Sequence, residues 1–451
     1  MNKRIDRNGA MDFHVLPPYG LINDPNGLIH YKGLTHIFFQ WNPNGTDHSY
    51  KCWGHATTED LVHYTYHEAA LLPDEAYDKN GCYSGSALVH EEKLYLFYTG
   101  NVKNDKDERE SYQCVAVSED GFHFEKLGSV ISEIKGYTAH VRDPKVFKHE
   151  DGLFYMVLGA QKEDLTGDTI LFRSKDLLQW EFSGSLMEEN LNLGYMWECP
   201  DLINYEDKSV FIFSPQGLEE EGERFKNIFQ TGYFTGTFQN GKFSKDQKEF
   251  DEMDRGFEYY APQSFSYPDG RVLSMGWMGT MEKEKEESVP TLKENWVHHL
   301  SVIRELSLSS DGRLIQKPVR ELQKAREWVM KDIRSTYKGE VNEPFEVNLD
   351  FIQGIAEMKL RYGGELRISY DGSTFKVERT DWHTKERESR SVELQEGLQD
   401  LQMLIDHTSA ELFINGGKEV FSLRFFKEEE NSELIITGDR EMDIQVDLLK
   451  F

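Results

Sequence analysis

The sequence predicts an all-β fold, a five-bladed β-propeller followed by a β-sandwich. Two observations carry this reading. Five short, aromatic-rich apolar runs begin at residues 36, 93, 153, 210 and 272, so they recur at nearly even spacing. Beyond residue 340 the pattern changes to alternating apolar and polar residues between turn signals.

Each run is shorter than a typical helix and rich in strand formers, which marks a buried strand. Each follows a turn signal such as Tyr31-Lys32-Gly33 or Tyr267-Pro268-Asp269-Gly270, and another short apolar segment precedes that turn. The unit is therefore a hairpin. A further element recurs downstream. Thr58-Glu59-Asp60, Ser118-Glu119-Asp120 and Ser174-Lys175-Asp176 each open a turn that leads into an aromatic strand. A repeat of about 60 residues with three or four strands is one propeller blade with long loops. Even spacing without helical periodicity favours this over a β-sandwich or a solenoid. The propeller is placed at 1–317, the charged stretch 318–340 is read as a linker, and 341–451 as the sandwich. Asp371-Gly372 and Asn415-Gly416-Gly417 separate strands in that last region, which carries no chemistry-bearing cluster and is assigned a structural or interaction role.

The 451 residues include 28 Phe and 21 Tyr, ample for packed cores. A formal net charge of -29 argues against nucleic acid and anionic membranes as partners, but not against a small sugar. Four cysteines without a Cys-x-x-Cys pair do not make a disulfide scaffold, and a reducing compartment is the simpler reading. Residues 1–10 are basic without an apolar core, and no run reaches 18 apolar residues. A cytoplasmic protein is expected, although a mature form cut from a longer precursor would look similar. The sequence sets no oligomeric state.

Three acids precede hairpins at a similar phase of the repeat. Asp24 lies in Asn23-Asp24-Pro25-Asn26-Gly27, Asp143 in Arg142-Asp143-Pro144, and Glu198 in Trp197-Glu198-Cys199-Pro200-Asp201. Proline restricts the residue before it to extended backbone, which stiffens Asp24, and Asp143 too has a proline immediately after it. Equal phase in a propeller means the same end of the central axis, so the three acids should converge on one pocket. Converging carboxylates fit either a metal site or glycoside hydrolysis. Calcium would want six or more oxygens. No Asp-x-Asp-x-Asp-Gly loop is present, so no metal or other cofactor is expected. Glycoside hydrolysis needs one carboxylate and one carboxylic acid flanking the bond. Trp41, Trp53, Tyr83 and Trp197 lie near these acids and would suit sugar faces.

The ordered set of motifs carries a resemblance. Asn23-Asp24-Pro25-Asn26-Gly27, Trp53-Gly54-His55-Ala56, Tyr83-Ser84-Gly85-Ser86, Arg142-Asp143-Pro144, Glu198-Cys199-Pro200-Asp201-Leu202 and Tyr260-Ala261-Pro262-Gln263 together resemble glycoside hydrolase family 32. The resemblance covers the whole chain and is closest to the intracellular sucrose-6-phosphate hydrolase branch. It departs at Tyr83, where Phe is commoner, and at Val302-Ile303-Arg304-Glu305, where a proline usually precedes Arg-Glu. It implies a retaining β-fructofuranosidase. Asp24 would be the nucleophile, Glu198 the acid and base, and Asp143 a binder of fructosyl hydroxyls beside Arg142. Leu21, Ile22, Asn23, Gln40, Trp53, Tyr83 and Ser84 would line the substrate pocket. Lys51, Lys293 and His48 are candidates for a rim that meets a sugar phosphate. A non-catalytic sugar-binding propeller, a fructan hydrolase, a fructosyltransferase and a pentose-specific glycosidase are the competing readings.

Overall fold

The computed structural model describes residues 11–132, 134–189, 191–351, 354–427 and 431–451. The first ten residues of the expected propeller domain, with the basic segment, lie outside these. Five antiparallel sheets follow one another around an axis. Their innermost strands are Gly20–Tyr31, Cys82–His90, Tyr137–Lys148, Met196–Asn204 and Tyr259–Ser266. The second strands start at 34, 93, 154, 209 and 272, which matches the five apolar runs. The ring closes where Trp296–Val297, late in the propeller, pairs in parallel with Gly20 and Leu21 at the head of the first blade.

Local chemistry sets the blade hairpins. Lys32-Gly33 turns between paired Tyr31 and Leu34 with positive φ at both residues, the geometry that matches strand twist. The recurring Ser/Thr-x-Asp element is a side-chain-built turn. Asp60, Asp120 and Asp176 each accept two backbone N–H groups just downstream through Oδ1. The blades are also tied to one another. Gln40 donates to Cys82 O, Ser86 Oγ accepts from Val146 N, Lys145 pairs with Asp201, Asp201 accepts from Ser264 N, and Trp277 Nε1 donates to Ile22 O. Each bond joins one blade to its neighbour, so the ring is held by polar contacts near its axis as well as by core packing.

The second domain departs from expectation at its start. The stretch read as a linker contains a short turn, Arg320–Ala325, and then a 15-residue strand, Arg326–Glu340. This strand pairs along its length with Glu433–Leu449. Its charge suggests a linker, but charged side chains are also how proteins protect a strand at a sheet edge. The strand Glu433–Leu449 has a second role. On its other side it pairs with Phe345–Asp350 and Met358–Tyr362 in turn, and so joins both halves of the sandwich. The sandwich core is apolar, from Phe345 and Val347 to Ile444 and Val446. Among the described residues, no helix is long and apolar enough to cross a membrane.

The two domains meet across a buried charged seam. Arg304 donates to Glu411 Oε2 at 2.7 Å and to Asp254 Oδ2 at 3.1 Å, and Ser422 Oγ accepts from Arg304 at 2.6 Å. Gly256 allows the close approach, since a Cβ there would sit 1.9 Å from Ser422 O. His14 bridges Asp406 at 2.8 Å and Glu411 at 3.0 Å. Burial alone would lower the His14 pKa, but Asp406 and Glu411 raise it to about 9. The folded value lies above the unfolded one. The stabilisation is therefore complete below about pH 6.5 and is lost as pH rises through about 9. His14→Gln is expected to cost roughly 3 kcal/mol near pH 6. In calorimetry its melting temperature should approach that of the parent protein above about pH 9.

Candidate active site

The five innermost strands share a defect that builds the site. Each carries a bulge where pairing to the second strand slips. In three blades the bulge falls on an X-Pro pair, Asp143-Pro144, Cys199-Pro200 and Ala261-Pro262; in the first it falls on Asn23-Asp24, and pairing resumes at Pro25. The second blade has Ser84 alone between paired Tyr83 and Gly85. Asp143, Cys199 and Ala261 take positive φ, at 64°, 46° and 48°. A bulge leaves backbone groups unpaired and re-aims side chains. The Asp143 N–H freed in this way donates to Thr99 Oγ1 at 3.0 Å, a group from the neighbouring blade.

This frame sorts the acids more finely than hairpin spacing does. Asp24 and Asp143 occupy one slot, the residue before proline. Cys199 and Ala261 hold that slot in the fourth and fifth blades. Glu198 lies one residue earlier, in the slot filled by Asn23, Arg142 and Tyr260 elsewhere. All three acids nonetheless line a single cavity of about 950 Å³ at one end of the axis.

Each carboxylate has donors. Ser84 Oγ donates to Asp24 Oδ2 at 2.5 Å. Glu198 accepts from Arg142 Nε and Nη2 on Oε1, at 2.9 and 2.7 Å. Its Oε2 accepts from Tyr260 at 2.6 Å and from Gln216 at 2.7 Å. Asp143 Oδ2 accepts the Cys199 N–H at 3.0 Å. The Cys199 thiol lies 3.7 Å from Asp24 Oδ2, so one residue touches both aspartates. Burial, followed by the charges of Glu198 and Asp24, pushes the Asp143 carboxyl above its ordinary range, against the pull of Arg142. Burial also raises the Cys199 thiol, with the same acids adding to it, which keeps it protonated and a poor nucleophile.

The other expected pocket residues divide. Asn23, Gln40, Tyr83, Ser84 and Arg142 line the cavity. Leu21, Ile22 and Trp53 do not; their side chains are fully buried. Trp53 packs with Phe38 and Tyr98 in the core between the first two blades, and its Nε1 donates to Tyr83 O. It braces the wall without facing a ligand. Trp41 and Trp197 are likewise buried, leaving Tyr83 as the one aromatic of that set on the cavity. Tyr260, Trp277 and Phe229 supply the remaining aromatic surface. Of the phosphate candidates, Lys51 and His48 line the cavity, whereas Lys293 is exposed and is not part of the wall.

Sequence reading missed Arg109, His140, Trp277 and Glu286, all on the wall, and Gln216 behind Glu198. Trp277 had a usable signal, since it ends the fifth apolar run and pairs with Tyr260 next to the bulge. Arg109 opens the third strand of the second blade and Glu286 ends a short helix, and neither carries a periodic signal.

Both domains of the chain match known proteins. Residues 14–318 match the glycosyl hydrolases family 32 N-terminal domain, and residues 323–446 the glycosyl hydrolases family 32 C-terminal domain. A sucrose-6-phosphate hydrolase of Bacillus subtilis is 43% identical, over 96% of this chain and 93% of that protein. The structure of sucrose-6-phosphate hydrolase from Lactobacillus gasseri superposes with a TM-score of 0.90 at 31% identity, covering 98% of this chain and 93% of that one. A Bombyx mori GH32 beta-fructofuranosidase superposes with a TM-score of 0.86, also at 31% identity, covering 100% and 95%. With its propeller and its sandwich both matched, the chain belongs to glycosyl hydrolase family 32 and is a glycoside hydrolase of the β-fructofuranosidase type.

Proposed function

We propose that this enzyme hydrolyses the β-fructofuranosidic bond of sucrose 6-phosphate, and of sucrose less efficiently, with retention at the anomeric carbon. The observation that carries the chemistry is the meeting of Asp24, Asp143 and Glu198 in one cavity. Asp24 is the nucleophile. Its carboxylate attacks the anomeric carbon, the bond to the glucosyl oxygen breaks, and Glu198 gives that oxygen its proton. Glu198 then takes a proton from water, the resulting hydroxide attacks the same carbon, and Asp24 leaves. Asp143, in the corresponding slot of the third blade, binds fructosyl hydroxyls. Tyr260, Gln216 and Arg142 fix the plane of the Glu198 carboxyl. Cys199 has no covalent role.

The phosphate reading is supported by the similarity to sucrose-6-phosphate hydrolases and by one feature of the wall. Arg109 lines the cavity, lies 5.6 Å from the Tyr83 ring centroid and donates to Asn101 at 2.6 Å. Among the described residues no carboxylate pairs with it, whereas Arg142 on the same wall is committed to Glu198. A guanidinium fixed by stacking and one hydrogen bond keeps further N–H donors for a phosphate. Local cations can serve an acidic protein because distant charges are screened beyond roughly 8 Å. A phosphorylated disaccharide is met inside a cell that phosphorylates sugars on entry, which supports a cytoplasmic place of work.

Asp24→Ala and Glu198→Ala are each expected to lower kcat by at least about 10²–10⁴-fold with little change in melting temperature. Azide should restore part of the Asp24→Ala reaction, and NMR of the first product should show the retained anomer. Near-normal turnover by either variant would refute these roles.

The kcat/KM ratio of sucrose 6-phosphate to sucrose should exceed one and fall with added salt. Arg109→Ala should reduce that ratio by about tenfold or more while sparing sucrose itself. Equal efficiency on both sugars, or better cleavage of fructan chains, would leave a general β-fructosidase.

The raised Asp143 carboxyl carries a sign for stability. A folded pKa above the unfolded one costs stability as pH rises. Asp143→Asn should therefore raise the melting temperature more at about pH 8 than at about pH 4, while activity falls at both.

A further inference from the structure

A hydrogen-bonded chain runs from the second domain to the residue beside Asp24, and the chemistry of its members fixes the direction of every proton. It begins at Arg424, on the sandwich strand Glu419–Arg424, whose Nη1 lies 3.2 Å from His298 Nδ1. A guanidinium only donates, so His298 accepts at Nδ1. Burial lowers His298 to a pKa of about 4, and the neutral ring carries its one proton on Nε2. That nitrogen lies 2.7 Å from Glu286 Oε1. The same oxygen lies 3.0 Å from His48 Nε2. His48 Nδ1 faces Lys51 Nζ at 2.8 Å. An ammonium also only donates, so His48 accepts at Nδ1 and donates from Nε2. Lys51 donates in turn to Asn23 Oδ1. With its oxygen engaged, Asn23, which lines the cavity, is left with its amide nitrogen as a donor.

The centre of this chain is gripped by the second domain. Glu286 ends the short helix Lys283–Glu286. Its neighbour Lys285 lies 2.6 Å from Asp381 and 2.7 Å from Glu388, both on the sandwich. Trp382 Nε1 donates to Lys285 O at 3.2 Å. One side of this helix faces the sandwich and the next residue faces the pocket.

We propose that the second domain contributes to the reaction through positioning residues. Arg424, His298, Glu286, His48 and Lys51 hold the Asn23 amide with its nitrogen towards the substrate, where it donates to a fructosyl hydroxyl. The proposal rests on reading the cavity as a fructoside site. A flipped amide would present oxygen to the sugar and place its NH₂ against Lys51, two donors facing each other. Lys51 excludes that state because an ammonium only donates, and Glu286, held by His298 and Arg424 on its far side, turns His48 so that Nδ1 accepts from Lys51. Burial lowers Lys51 to a pKa of about 8, while the carboxylates of Asp24, Glu286 and Asp47 sustain its charge.

Glu286→Gln and His48→Ala, made alone and in an Asn23→Ala background, test this. Alone, each should lower kcat/KM on both sugars by up to about 10²-fold with the melting temperature retained. Added to Asn23→Ala, neither should lower it further. Arg424→Lys tests the domain end of the chain and should show the same dependence on Asn23. In protein labelled at lysine Cε, NMR should show Lys51 titrating at lower pH in Glu286→Gln, because a negative charge that sustains it is gone. Losses that simply add in the double variants, or an unmoved Lys51 titration, would overturn the proposal. A parent protein that cleaves neither sugar would instead overturn the fructoside reading, and the Lys51 titration would still decide whether the chain exists as described.

Discussion

The site depends on a broken hydrogen-bond ladder. An unbroken strand would place Asn23 and Asp24, or Arg142 and Asp143, on opposite faces, so only one of each pair could reach the axis. The slip in pairing at each innermost strand removes that alternation. In the first three blades two consecutive side chains then reach the cavity wall, and in the third, fourth and fifth a proline inside the bulge withholds a ladder donor. The positive φ of Asp143, Cys199 and Ala261 is the local cost, offset by contacts from adjacent blades such as Thr99 to Asp143 N. The same geometry recurs around the ring, yet each blade fills it with different chemistry. Repetition builds the frame and the exceptions to it carry the function.

Crowded acids then need donors. Three carboxylates share one cavity in a chain whose formal net charge is -29. The structure supplies neutral and cationic donors unequally. Glu198 receives four hydrogen bonds, Asp24 one from a hydroxyl and a weak one from the Cys199 thiol, and Asp143 one from a backbone amide. Asp143 is the most enclosed of the three, and its charge is the one that burial opposes. Three chemically similar residues are made different by their neighbours, which is what the proposed division into a nucleophile, an acid and a binding group requires.

The domain interface follows the same logic on a larger scale. Arg304, His14, Glu411, Asp254 and Asp406 are buried together. Such pairs contribute little net stability compared with apolar packing, but breaking one member is costly. Their effect is to specify a single docking of sandwich on propeller. A fixed docking angle matters here because Arg424 and the partners of Lys285 come from the sandwich, while Glu286 and His298 come from the propeller. The sandwich, which among the described residues holds no acid of the cavity, thus stands in hydrogen-bond connection with it.

The sequence determined by itself whatever is written in local pattern. Blade number, hairpin positions, the Asp-Pro defects and the motifs of the family are all encoded within about ten neighbouring residues, where alternation, turn chemistry and proline act directly. Asp24, Asp143 and Glu198 were legible for that reason. Tertiary structure decided which face of each strand met solvent. It buried Leu21, Ile22 and Trp53, which share motifs with pocket residues but point into the cores. It turned the charged stretch after residue 325 into an edge strand by giving it Glu433–Leu449 as a partner. It also joined His48 to Glu286, 238 residues apart, and Lys285 to Glu388, 103 apart. No local periodicity records such pairs, because their geometry exists only once the ring has closed and the second domain has docked on it.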